Sequence, residues 1–168
     1  MAKIKFKFDP NQEHQLTAVD SVIRLFDKLP QGHSEFKLGD ELVPNLPSEE
    51  IFDEDVLLTN LNEIQRQNKL LENRRLDVED GLVLESIGNE SWRYPVFTVE
   101  METGTGKTYV YLRTAYELRK HYGFRKFIVI VPGIAIYEGV IKSVEITREH
   151  FKSLYNNEHM SVIAYDSD

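Results

Sequence analysis

Eight residues, METGTGKT from Met101 to Thr108, have the types and spacing to bind a nucleotide's phosphates. Gly104 and Gly106 let the backbone turn tightly and bring N–H groups close to an anion. Lys107 then stands where a cation reaches β and γ phosphates, and Thr108 where a hydroxyl meets the accompanying Mg²⁺. Thr103 and Thr105 fill the rest of the loop. The full phosphate-loop pattern has glycine or alanine five places before the last loop glycine. That position is Met101 here, so the match is to the shorter T-G-x-G-K-T core. The plainer alternative is a glycine-rich turn beside a solvated lysine. The flanks favour phosphate binding: 94–100 reads as a short strand and 107–122 as a helix, the setting in which helix N-terminal amides hold an anion.

The elements around this loop follow from periodicity. Residues 3–8 alternate lysine with Ile4, Phe6 and Phe8, which predicts a half-exposed edge strand. Asp9-Pro10-Asn11-Gln12 predicts a helix start, with Asp9 as cap, Pro10 first in the helix and Gln12 completing a capping box. Leu16, Val19, Ile23 and Phe26 form its apolar stripe, and it stops near Leu29-Pro30. Residues 31–56 read as an irregular excursion. Asp53-Glu54-Asp55 within it could attract a cation, though such a run more often is a solvated face. Residues 57–76 predict a helix with Leu58, Leu61, Ile64 and Leu71 inward. Arg74-Arg75 then suit the negative end of that helix's dipole better than a phosphate. A short strand is predicted at 81–85, and Trp92 and Tyr94 read as packing residues.

After the loop, Val110, Leu112, Ala115 and Leu118 give the 107–122 helix its apolar side, and Gly123 is placed to end it. Lys126 to Val131 is a near-continuous apolar run, the pattern of a central parallel strand buried on both faces. Pro132-Gly133 ends it. Val140, Ile141, Val144 and Phe151 predict a further helix, loosened by Gly139, and 161–165 a further strand. The expected fold is α/β, a parallel sheet with flanking helices joined by right-handed crossovers.

The 168 residues suit one domain with its own core, and 41% apolar and 29% charged residues are ordinary for a globular protein. Without cysteine, disulfides and thiolate metal sites are excluded. The five histidines show no metal-ligand spacing, and there is no Ser-based nucleophile elbow. No apolar run is long enough to span a membrane and the N-terminus is no signal peptide, so a cytoplasmic location is expected. The net charge of −8 is concentrated: residues 31–95 hold 15 acidic and 6 basic side chains, net −9, and the remainder is near neutral. That balance neither requires nor excludes a nucleic-acid face.

Three stretches, FDPNQEHQLTAV, VFTVEMETGTGKTYVYLRTAYELRK and FIVIVPGIAIYEGVIKS, together resemble the start of the Res subunit of type III restriction enzymes. These subunits fall within the superfamily 2 helicase and translocase group. The resemblance covers 4–30 and 94–168. It implies that 1–168 is an incomplete first RecA-like ATP-binding domain with an acidic, partly helical insertion at 31–93. A glutamine amide matches the N6 and N7 edge of adenine. From spacing alone Gln15 reads as a surface residue of an amphipathic helix; the resemblance makes it the adenine reader. It also makes Thr103 to Thr108 motif I, with ATP and Mg²⁺ as ligands and METGTGKT typical of the family. Pro132-Gly133 becomes part of a motif Ia that contacts the DNA backbone, where the plainer reading is a strand-to-helix turn.

The implied function is the ATP-binding part of a DNA-translocating endonuclease subunit that works with a methyltransferase (modification) subunit. The acidic motif, the arginine and the nuclease residues that hydrolysis and cleavage need are not found in the sequence. Asp166 and Asp168 follow a predicted strand too early and lack an adjacent glutamate. The chain is therefore expected to be the N-terminal part of a larger subunit, binding Mg-ATP without appreciable turnover. A different class stays open: a non-catalytic nucleotide-binding module using 31–93 as a partner surface. A small phosphate-loop kinase has little support, since no acceptor-site base or lid arginine follows the loop.

Overall fold

The computed structural model describes residues 7–29, 53–80, 93–158 and 160–165. Four helices dominate: α1 (Glu13–Arg24), α2 (Glu54–Gln67), α3 (Lys107–Tyr122) and α4 (Ile134–Leu154). Between α2 and α3 lie two short strands, β1 (Asp77–Asp80) and β2 (Arg93–Val96), paired antiparallel with Asp77 opposite Val96.

Helix α3 is the centre of the fold because it is apolar most of the way round, which buries it on two sides. Val110 and Leu118 pack against Val19 and Ile23 of α1, with Phe124 beyond the helix end. On the other side Tyr109, Leu112 and Tyr116 meet Phe151 of α4 and Tyr155 just after it. Gly106 and Gly123, both left-handed at φ 93° and 73°, bound α3 as the sequence predicts. Its C-terminal turn is tied to α1 through Tyr122, whose hydroxyl reaches Ile23 O at 3.0 Å and Asp27 Oδ1 at 2.7 Å. Burial, then the Asp27 carboxylate, raises the Tyr122 pKa, so the phenol stays protonated.

Helix α1 starts later than the predicted capping box. Asp9 Oδ1 accepts from Asn11 N at 2.9 Å in a turn ahead of the helix. The Gln12 carbonyl receives the first helical N–H groups, and no side chain caps this end. The cause is tertiary: Pro10 O accepts a hydrogen bond from Arg113 Nη1 of α3. Val19 and Ile23 are buried as predicted, with Leu16 and Phe26 only partly so. The helix ends at Arg24, and left-handed Lys28 closes the turn after it.

Helix α2 spans 54–67 rather than 57–76, and its buried stripe is turned one position from the predicted one. Leu57, Asn60 and Ile64 face inward, Leu58 and Leu61 are only partly buried, and Leu71 is exposed. The stripe turns because Asn60 is wanted inside. Its Nδ2 donates to Leu25 O at 3.0 Å and Asp27 O at 2.7 Å, satisfying carbonyls that the end of α1 leaves open. Asp53 is a helix cap, its Oδ1 accepting from Asp55 N and Val56 N, rather than part of a cation site. Arg74 and Arg75 lie past the helix end, where Arg66 supplies the last-turn charge instead.

The expected parallel sheet is not seen among the described residues. Residues 126–131 and 161–165 carry no strand assignment, although both follow the apolar pattern that predicted strands. Ile128 and Ile130 are each 90% exposed and Ile163 is 92% exposed. A strand of the interior kind needs neighbours on both edges, and among the described residues no strand pairs with either run. The predicted strand at 94–100 is a strand only as far as Val96, where it pairs with β1. The predicted strands at 3–8 and 81–85 lie largely or wholly outside the described residues, as do Pro30, Trp92 and most of the excursion at 31–56.

Candidate phosphate-binding site

The loop from Met101 to Gly106 joins β2's trailing segment to α3. Met101, the departure from the usual glycine or alanine, is half-buried against the cluster formed by α1 and α3. Its side chain packs there and so ties the start of the loop to the core. Gly104 and Gly106 adopt φ 84° and 93°, the left-handed region that costs a residue with a Cβ about 1–2 kcal/mol.

The loop curls around one backbone oxygen. Glu102 O accepts from Thr105 Oγ1 at 2.7 Å and from Lys107 Nζ at 2.8 Å, with Thr105 N at 3.4 Å. The Lys107 ammonium is thus drawn back over the loop. Thr108 follows, half-buried, as the second residue of α3. No side chain caps this helix, so its first N–H groups are free to meet an anion, and the helix dipole favours one. Thr103 and Gly104 are exposed at the loop's tip.

Helix α1 supplies the loop's other wall. Gln15 is only 7% exposed, and its Nε2 donates to Thr105 O at 2.9 Å. His14 Nε2 lies 3.2 Å from the same oxygen. A Cβ placed on Gly106 would lie 2.5 Å from Gln15 Nε2, so a side chain there would displace the Gln15 amide besides straining φ. Gln15, Thr105, Gly106 and Lys107 are therefore brought together, and Gln15 is not the surface residue its spacing suggests.

Pro132 and Gly133 are exposed at the start of α4. Gly133 is extended at φ −177°, which any residue adopts, and nothing lies within 4 Å of a Cβ placed there. Its carbonyl accepts from Ile136 N and Tyr137 N, opening the helix without a side-chain cap.

Sequence reasoning missed three polar contacts on α3's far side. Tyr109 OH lies 2.8 Å from His150 Nε2, and Tyr155 OH donates to Glu117 Oε1 at 2.8 Å. Arg113 crosses to Pro10 O. Burial, reinforced by the Arg113 charge, lowers the His150 pKa, and burial raises that of Tyr109. None of these pairs had a spacing signal, because each joins elements far apart in sequence. Among the described residues no group of three or more His, Asp or Glu could hold a metal ion, and no helix is long and apolar enough to cross a membrane.

Comparison with known families bears on the whole of this arrangement. The profile described as "Type III restriction enzyme, res subunit" matches residues 11–167. The chain belongs to the Res subunit family of type III restriction enzymes. The match runs from Asn11, just before α1, through the loop and beyond α4. The EcoPI Res subunit of Escherichia phage P1 is 32% identical over 155 residues, covering 91% of this chain and 14% of that protein. The EcoP15I Res subunit of Escherichia coli is 29% identical over the same length, with the same coverage. The StyLTI Res subunit of Salmonella typhimurium is 48% identical over 66 residues, 38% of this chain and 7% of that protein. The chain thus spans about one-seventh of the first two Res subunits it matches.

Proposed function

We propose that this chain is the ATP-binding portion of a DNA-translocating restriction subunit, forming part of its first RecA-like motor domain. The observation that carries the reading is the loop's geometry: two left-handed glycines, an uncapped helix N-terminus and Lys107 at its mouth, in a Res family chain. Phosphates would replace Glu102 O as the acceptor for Lys107 Nζ. Amides from Gly104 to Thr108 would donate to the phosphate oxygens, and the Thr108 hydroxyl would ligate Mg²⁺. Bound Mg-ATP supplies the free energy that closes two motor domains on DNA.

Gln15 can serve the base while it holds the loop. Its bond to Thr105 O uses one amide hydrogen, leaving the second hydrogen and Oε1 for the N7 and N6 edge of adenine. At the uncapped start of α4 the Gly133 backbone amide would meet a DNA phosphate, with Pro132, which has no N–H, shaping the turn beside it. The exposed apolar segments 126–131 and 161–165 would become central strands of a parallel sheet beside strands from the rest of a longer subunit. That rest would also supply the acidic motif, the arginine and the nuclease. The whole would work in the cytoplasm with a methyltransferase partner that selects the DNA site.

The test is DNA-dependent ATP turnover by a full-length Res subunit that includes these residues, assembled with its modification subunit. Turnover is expected in the wild type and its loss in Lys107→Ala. An undiminished rate in Lys107→Ala would overturn the assignment.

A further inference from the structure

We propose that His14 is a positioning residue for the phosphate loop, acting with Gln15 as a two-donor clamp on the Thr105–Gly106 peptide. The inference rests on the phosphate-site reading given above. A carbonyl oxygen has two lone pairs, and Thr105 O receives Gln15 Nε2 at 2.9 Å and faces His14 Nε2 at 3.2 Å. The imidazole donates from the tautomer that carries its proton on Nε2. All peptide bonds in the described chain are trans. Across a trans peptide the C=O and the following N–H point in opposite directions. Fixing Thr105 O toward α1 therefore aims Gly106 N–H away from α1 and sets which way this loop amide faces.

The clamp is needed because of what Gly106 is. At φ 93° it has the widest backbone freedom of any residue, and its own N–H direction is weakly determined. Gln15 alone fixes one direction of the peptide plane, and a second donor restricts its rotation about that bond. His14 is not held there by packing, because it is exposed on α1 beside buried Gln15. Its partner on the loop is 91 residues away in sequence, so a local helical contact does not explain it.

Two measurements on the 168-residue chain test the clamp. With ¹⁵N-labelled glycine, of which the chain has nine, the three-bond H–N–Cα–H couplings of Gly106 report its φ. They should average in His14→Ala, return to wild-type values in His14→Gln, which restores an amide donor, and stay fixed at Gly123 in both. Unchanged Gly106 couplings in His14→Ala, or no return in His14→Gln, would overturn the proposal. Calorimetry with inorganic tripolyphosphate and with ATP gives the second readout. His14→Ala should weaken both by a common factor of about three to ten, the worth of one net hydrogen bond. A loss for ATP alone would place His14 on the base or sugar and overturn the clamp. If wild type and Lys107→Ala bind ATP equally, the phosphate-site reading fails, and the glycine couplings still decide whether His14 orders the loop.

Discussion

Gly106 carries two constraints at once, its left-handed φ and the Gln15 amide 2.5 Å from where a Cβ would sit. Gly106→Ala should therefore lower stability by about 1–2 kcal/mol from backbone strain, and more where Gln15 is displaced. Urea denaturation of Gly106→Ala, Gln15→Ala and the double mutant separates the two: the alanine should cost less once Gln15 is gone. Gly104 and Gly106 were legible in the sequence as tight-turn positions, since a positive φ favours glycine. Met101 was legible only as a departure, since its packing on the α1 and α3 cluster depends on tertiary structure. Glu102 O, the acceptor at the centre of the loop, was not legible at all: a backbone carbonyl leaves no trace in residue type. His14 was passed over because a lone histidine beside a glutamine has no signature spacing.

Helix α3 was read to the residue because glycine bounds it at both ends, and helix α2 was misread because polarity alone placed Asn60 outside. Asn60 holds Leu25 O and Asp27 O, so Asn60→Ala should cost about 1–3 kcal/mol, chiefly by leaving the buried Leu25 carbonyl without this donor. A parallel change at exposed Asn68, whose amide reaches Ile64 O and Ser21 Oγ, should cost less in the same melts. Between α3 and α4, His150 is held neutral against Tyr109, with Phe8 and the Arg113 charge beside it. Its folded pKa lies below the ordinary 6.5, so on acidification the unfolded chain binds the proton first. The His150 contribution is complete above about pH 6.5 and declines as pH falls from there toward the folded pKa. Between about pH 7.5 and pH 5.5 the wild type should lose more stability in urea melts than His150→Phe does. Equal losses would show that His150 binds its proton alike in the folded and unfolded chains. The Asp9-Pro10 helix start was misread for a tertiary reason too, since Arg113 takes the Pro10 carbonyl from outside the helix.

The chain as a whole packs α1, α3 and α4 well and leaves Ile128, Ile130 and Ile163 at the surface. Their apolar runs were legible as strands; whether each finds a neighbour depends on strands elsewhere in the fold, which local pattern does not encode. If these runs join a sheet in the full subunit, amides of 127–131 should exchange far more slowly there than in the 168-residue chain. Fast exchange in both would argue against a central strand. Asn60 also docks α2, which lies within the acidic segment, onto the end of α1. Calorimetry of Mg-ATP against the wild-type chain and Lys107→Ala tests the proposed phosphate site most directly. Saturable binding by the wild type, weakened about 10- to 100-fold in Lys107→Ala with an unchanged thermal melt, is the predicted result. Equal heats from the two proteins would contradict it.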